Sequence, residues 1–197
     1  MKAVSGSRPS PDSKIELINR LQSPENRFVL EAVQELHTCG MLSDGSLRGI
    51  ALCQAVLESA DLKGADLCYV DLHQANLDDA DLSGAKLTAA KLNRASLRGA
   101  NLAGTDLTNA DLYKVNLRGA RNLSDEQFST MNELFGSVMP SGDVYDGRFN
   151  LFGDLARARW AKVKTEDPKS MAEFYGVSLE TYLQGQAKGA AAATAVN

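Results

Sequence analysis

The stretch Ala60-Asp61-Leu62-Lys63-Gly64-Ala65-Asp66-Leu67-Cys68-Tyr69 holds the pattern that decides the fold. Leucine returns at every fifth residue, and the phase runs unbroken from Leu47 to Leu117. Leu62, Leu67, Leu72, Leu77, Leu82, Leu87, Leu92, Leu97, Leu102 and Leu107 form the centre of the series and its expected core. Two residues before most of them stands alanine, as at Ala55, Ala60, Ala65, Ala75, Ala80, Ala85, Ala90, Ala95, Ala100 and Ala110. A period of five fits neither an α-helix nor a plain strand. It marks a repeat architecture.

Within the period, alternate residues of a short extended run face the same way. The leucine and the residue two before it then point inward, and the residue between them points out. The two residues after leucine make a corner. A type II turn needs φ > 0 at its third residue, where glycine stands at Gly49, Gly64, Gly84, Gly99, Gly104 and Gly119. Asn109 and Asp79 suit that place, whereas Tyr69, Arg94 and Lys114 predict corners of another type. Inward alanine keeps the cross-section narrow, because larger residues would overpack it. Ile50, Val70 and Val115 are the exceptions.

The literal recurrence Ala60-Asp61-Leu62, Ala65-Asp66-Leu67, Ala80-Asp81-Leu82, Ala110-Asp111-Leu112 resembles the pentapeptide-repeat family, of bacterial and notably cyanobacterial type. The resemblance implies a mainly β fold. It is a right-handed quadrilateral β-helix with one pentapeptide per side, about four coils of about twenty residues, capped by helices at both ends. Residues twenty apart would then stack about 4.8 Å apart. Two ladders alternate in charge, Asp66–Lys86–Asp106 and Asp71–Lys91–Asp111, which relieves like-charge stacking. With Arg94, Arg98, Lys114 and Arg118 they are the candidate partner-contact surface. Charge also divides along the axis. Glu58, Asp61, Asp66, Asp71, Asp78, Asp79 and Asp81 crowd the start, against Arg48 and Lys63. Lys86, Lys91, Arg94, Arg98, Lys114, Arg118 and Arg121 crowd the end, against Asp106 and Asp111. That split would orient a partner or allow antiparallel pairing into a homodimer.

The flanks predict helices. Residues 1–11 read as disordered, and residues 12–44 as a helical cap. Its first helix spans Ser13 to Gln22; its second opens at Ser23-Pro24 and ends at Gly40. The β-helix covers residues 45–121. A C-terminal extension over residues 122–186 opens a helix at Ser124-Asp125-Glu126-Gln127. Further helices are expected near Asp154–Val163, Pro168–Tyr175 and Leu179–Gln186, followed by a disordered tail over residues 187–197. Met139-Pro140-Ser141-Gly142 and Phe174-Tyr175-Gly176-Val177-Ser178 are similar to the C-terminal extension of cyanobacterial members of the family. Ala172 to Thr181 also resembles the turn of a helix-turn-helix, but no Arg or Lys follows on the second helix before Lys188 to meet phosphates.

Composition narrows the function. The 197 residues carry a net charge of -4, which speaks against a nucleic-acid partner. Three cysteines, Cys39, Cys53 and Cys68, lack the spacing of a disulfide framework and suit a reducing, cytoplasmic setting. The start of the sequence lacks an apolar run, and no segment reaches the length of a membrane span, so no membrane partner is expected. Cys53, His73, Asn93 and Tyr113 would stack in one ladder with a thiol hydrolase's residue types, but on an exposed edge without oxyanion donors. No cofactor and no metal are expected. The reading is a non-enzymatic scaffold or regulatory protein that presents rigid faces to a protein partner. The alternatives are DNA binding by the helix-turn-helix-like segment and a DNA mimic that binds or protects DNA gyrase, as some family members do. Mimicry needs a negative surface, and acids and bases balance between Gly45 and Arg121.

Overall fold

Hydrogen bonds join residues about twenty apart throughout the leucine series, as a four-sided coil requires. The computed structural model describes residues 11–195, so the expectation for residues 1–11 lies almost wholly outside the described residues. Parallel bridges run Ala51 to Asp71 to Lys91 to Asp111, and Val56 to Asn76 to Ser96 to Asn116. The other two sides run Asp61 to Asp81 to Asn101 to Arg121, and Asp66 to Lys86 to Asp106. Each side contributes a single bridged residue, so the coil is built from isolated parallel bridges and not from longer strands. Five residues per side leave no room for a longer ladder between corners, and the regular elements are helices.

The leucines fill the coil. None from Leu47 to Leu117 is more than 2 % exposed. Each contributes roughly 1.5–3 kcal/mol of gross stabilisation. The inward alanines, Val70 and Val115 are buried too, while Ile50 at the open edge is only half-buried. Thr105 takes an alanine place and donates its hydroxyl to the Leu82 carbonyl at 2.8 Å, which satisfies a buried polar group.

Every corner from Gly49 to Gly119 has φ > 0 at the second residue after leucine, including Tyr69 (63°), Arg94 (61°) and Lys114 (54°). The first corner residues have negative φ, so these are type II turns throughout. The expectation that Tyr69, Arg94 and Lys114 depart from type II is therefore corrected. Stacking holds the strained backbone: Tyr69 N–H donates to Thr88 O at 2.9 Å and Arg94 N–H to Tyr113 O at 2.8 Å. Asp and Asn in the outward place supply the rest. Their Oδ1 atoms accept from the N–H two residues on, as from Asp71 to His73 (3.1 Å), Asn76 to Asp78 (3.0 Å) and Asp106 to Thr108 (3.0 Å).

Helices α1 (Pro11–Arg20) and α2 (Asn26–Thr38) precede the coil. The N-cap of α2 is corrected from Ser23 to Glu25, because the Ser23 hydroxyl instead accepts from the Glu25 N–H at 3.2 Å and holds the preceding bend. Gly40, at φ 70°, closes α2. Its N–H reaches His37 O (3.0 Å), and Met41 N–H reaches Leu36 O (2.9 Å). Two amides then reach the first coil: Gln22 Nε2 donates to Ala51 O (2.7 Å) and Asn26 Nδ2 to Glu58 O (3.1 Å).

After Ala120 the phase breaks, as expected, but the coil then resumes. Helix α3 (Asp125–Thr130) takes the place of a corner, opened by Ser124 and Gln127 in a reciprocal capping box. Glu133 then bridges Asp111 and Val138 bridges Asn116. Leu134 and Met139 are buried five residues apart, with Gly136 at φ 72° in the corner. Helices α4 (Phe152–Trp160), α5 (Pro168–Tyr175) and α6 (Leu179–Ala195) complete the chain. Helix α6 runs past its expected end at Gln186 to Ala195, and residues 196–197 of the expected tail lie outside the described residues. Alanine, the strongest helix former, dominates that segment.

Candidate functional site

The two adjacent sides carrying Lys86 and Lys91 form the core of the candidate surface. Both lysines are exposed. They occupy the outward place where Asp and Asn accept a corner N–H, and a lysine has nothing to accept with. Neither makes an ion pair within 4 Å among the described residues. Arg94 and Lys114 are exposed on the next corner beyond Lys91. Asp106 is exposed and Asp111 half-buried. Arg98 and Arg118 project from a different corner, where they line a concavity of about 440 Å³ with Glu58, Asp78, Asp79, Gly99 and Gly119. The ten candidates therefore do not make one surface.

Asp66 is a correction. It is only 3 % exposed and belongs to the edge of the core. Arg48 clamps it in a fork, Nε to Oδ1 at 2.8 Å and NH2 to Oδ2 at 2.6 Å. The Arg48 hydrogen bond holds its carboxyl down at about 2, against the opposing effect of desolvation. Its partner is thus an arginine one coil earlier at a corner, not Lys86. Asp71 is half-buried; desolvation pushes its carboxyl up, but the His73 N–H and its neighbours hold it below the ordinary range. Sequence reasoning missed this turn role, although Asp or Asn two residues before a corner N–H is its signature.

The Cys53 ladder does not assemble a nucleophile. Desolvation and the Asp71 carboxylate push the Cys53 thiol up, the opposite of what an attacking thiolate needs. Among the described residues no group of three or more His, Cys, Asp and Glu could hold a metal ion, and no helix is long and apolar enough to cross a membrane. The helix-turn-helix-like segment packs inward through Ala172 and Tyr175, with Met171 and Tyr182 buried on either side of it. Tyr175 stacks edge-on against Tyr145 with centroids 5.6 Å apart.

The C-terminal extension seats itself on the last coil through charged groups that the sequence did not flag. Glu133 bonds Arg157, whose guanidinium lies 4.2 Å over the Tyr113 ring. Asp154 is fully buried and accepts from the Leu134 N–H (3.0 Å) and the Phe135 N–H (2.8 Å) through Oδ1. Its Oδ2 has no partner, and burial pushes the carboxyl up to about 7.

Residues 46–84 and 80–119 match the family model of pentapeptide repeats in eight copies, so this part of the chain is similar to pentapeptide-repeat proteins. Such proteins fold as right-handed quadrilateral β-helices. Among solved structures, HetL of the cyanobacterium Nostoc, a pentapeptide-repeat protein involved in heterocyst differentiation regulation, is 36% identical. The match covers 50% of this chain and 42% of HetL, with a TM-score of 0.41. A pentapeptide-repeat protein of the Arabidopsis thaliana thylakoid lumen is 29% identical over 51% of this chain and 65% of its own, with a TM-score of 0.40. Rfr23 of the cyanobacterium Cyanothece is 31% identical over 47% of this chain and 58% of its own, with a TM-score of 0.28. The chain thus spans between 42% and 65% of the length of these relatives. No curated protein sequence gives a match.

Proposed function

We propose that the chain is a non-enzymatic interaction scaffold whose rod of about four coils, capped by helices, presents two adjacent lysine-bearing sides to a protein partner. The observation that carries this reading is the pair Lys86 and Lys91. Both give up the corner hydrogen bond that Asp and Asn make in the same place, and both stand exposed without an ion pair within 4 Å among the described residues. Residues that give up a local hydrogen bond for no more than weak, exposed charge contacts are candidates for binding. The coil around them is closely hydrogen-bonded, so little entropy is lost when it docks. Arg94, Lys114 and Asp106 extend the surface; Asp66 does not belong to it.

The test is a pulldown from the native host with the wild type and with Lys86→Glu/Lys91→Glu. The wild type is expected to retain a protein that the double variant loses. Equal recovery by both would overturn the assignment of these sides. A supercoiling assay with a quinolone separates the gyrase-directed alternative: protection of gyrase at modest protein excess would replace the scaffold reading.

A further inference from the structure

Helix α4 turns two aromatic rings away from the protein. Phe152 is 76% exposed and Trp160 is 85% exposed. Ala156 lies exposed between them, and spacings of four residues put all three on one line along the helix. The helix cannot roll to hide them. Its other side buries Asp154 and Ala158 and ties Arg157 to Glu133. Its C-terminus is fixed as well: Lys162 N–H donates to Arg159 O and Val163 N–H to Ala158 O, both at 2.9 Å, with Lys162 at φ 59°.

Cations flank this line. Arg159, Lys162 and Lys164 are exposed beside Trp160, and none makes an ion pair within 4 Å among the described residues. The one carboxylate between Phe152 and Lys164 is the buried Asp154. The acids that follow belong to the next turn: Glu166 accepts from Thr165 Oγ1 at 3.2 Å, and Asp167 caps α5 through the Ser170 N–H at 3.1 Å. Arg157 of α4 lies over Tyr113, so this face sits at the basic end of the rod.

We propose that this face of α4 docks on an anionic lipid surface. Phe152 and Trp160 enter the headgroup region, and Arg159, Lys162 and Lys164 meet the lipid phosphates. An apolar ring beside an amphipathic indole, flanked by Lys and Arg, is a combination that a membrane interface favours. The rings stand out from a convex helix, and a planar layer receives both at once. The axial charge split adds an orienting effect: the acidic start of the coil is repelled by the same layer that attracts the basic end. The contact is peripheral, with no spanning helix among the described residues. It departs from the sequence-based expectation of no membrane partner and does not depend on the scaffold reading, whose lysines lie on the sides of the coil.

Trp160 is the single tryptophan of the sequence, so its fluorescence reports on this face alone. The experiment adds the full chain to vesicles of phosphatidylserine and phosphatidylcholine in equal parts. The emission is expected to move to shorter wavelength and to return when salt is raised. Vesicles of phosphatidylcholine alone should leave it unchanged. Phe152→Ala, and separately Arg159→Glu/Lys162→Glu, should each lower co-sedimentation with anionic vesicles about tenfold, with unchanged far-ultraviolet circular dichroism. Unshifted emission with anionic vesicles, or wild-type co-sedimentation of the folded double variant, would overturn the proposal. So would a shift produced by polyglutamate and not by vesicles, which would assign the face to an acidic protein.

Discussion

Asp66 and Asp106 occupy the same place in the repeat, and the coil uses them differently. Asp106 spends its carboxylate on the Thr108 N–H and the Thr88 hydroxyl and stays exposed, whereas Asp66 is buried under the Arg48 fork. A buried carboxylate that loses its cation keeps the desolvation cost. Arg48→Ala is therefore expected to lower the midpoint of a urea titration, while Lys86→Ala should leave it nearly unchanged. Asp66 also sets a sign in pH. Its folded value of about 2 lies below the unfolded one, so its contribution is present above the ordinary carboxylate range and is lost as pH falls toward 2. Asp154 runs the other way. Burial raises it to about 7, so its contribution is full below the unfolded value near 4 and is lost as pH rises through 7. That loss is on the order of 2–4 kcal/mol, less whatever the site relaxes. Urea titrations between pH 4 and pH 8 should show stability falling across this window in the wild type, and Asp154→Asn should flatten that slope. An unchanged slope would show that Asp154 is ionised in the folded protein throughout.

At the scale of the elements, the corners show what a sequence states openly and what it hides. The leucine period, the inward alanines and the start of α5 at Pro168 were legible because each rests on one residue type in one local geometry. The uniform type II corners were not. Tyr69 and Arg94 have no propensity for φ > 0, and only bonds to the next coil hold them there. For the same reason the Asp and Asn habit read as a charge ladder when it is turn chemistry, which left Asp66 in the candidate surface. The resumption of the coil at Leu134 was hidden because α3 shifts the stacking partner from twenty residues away to twenty-two, as in Asp111 with Glu133. Helix α6 offers a test in which propensity and packing oppose each other. Gly185 and Gly189 stand inside it, where alanine should gain about 1 kcal/mol of helix propensity. A Cβ at Gly189 would collide with the Arg148 carbonyl oxygen, and backbone cannot swing aside as a flexible side chain can. Gly189→Ala is thus expected to destabilise the docking of α6, with faster amide hydrogen exchange in residues 145–150. Protection equal to the wild type would mean that α6 shifts at no cost.

For the molecule as a whole, the difficulty of a stacked coil is its ends. Within the stack each side residue donates its N–H to the coil before it, as Asp71 does to Ile50 O (3.0 Å) and Asn76 to Ala55 O (2.9 Å). The first coil has no coil before it, so Ala51, Val56 and Asp61 N–H groups make no backbone bond among the described residues. Such an edge is a template for another chain. The last coil is closed by its own continuation, with Leu112 N–H on Glu133 O (3.0 Å) and Leu117 N–H on Val138 O (2.8 Å). The first is closed by helices α1 and α2 and the bend between them, which lay Leu17, Leu21, Val29, Val33 and Leu36 into the core. Two amides pin them, Gln22 on Ala51 O and Asn26 on Glu58 O. Removing residues 1–40 should therefore do more than lower stability. It should uncover an apolar, unpaired edge and produce association that grows with concentration in light scattering. If that truncation does not fold, Gln22→Ala/Asn26→Ala gives the same test more gently. It removes two exposed hydrogen bonds, worth about 0.5–1.5 kcal/mol each, and should make α1 and α2 detach below the global unfolding transition. A single cooperative transition at the wild-type midpoint would mean that apolar contact alone holds the helices over the edge.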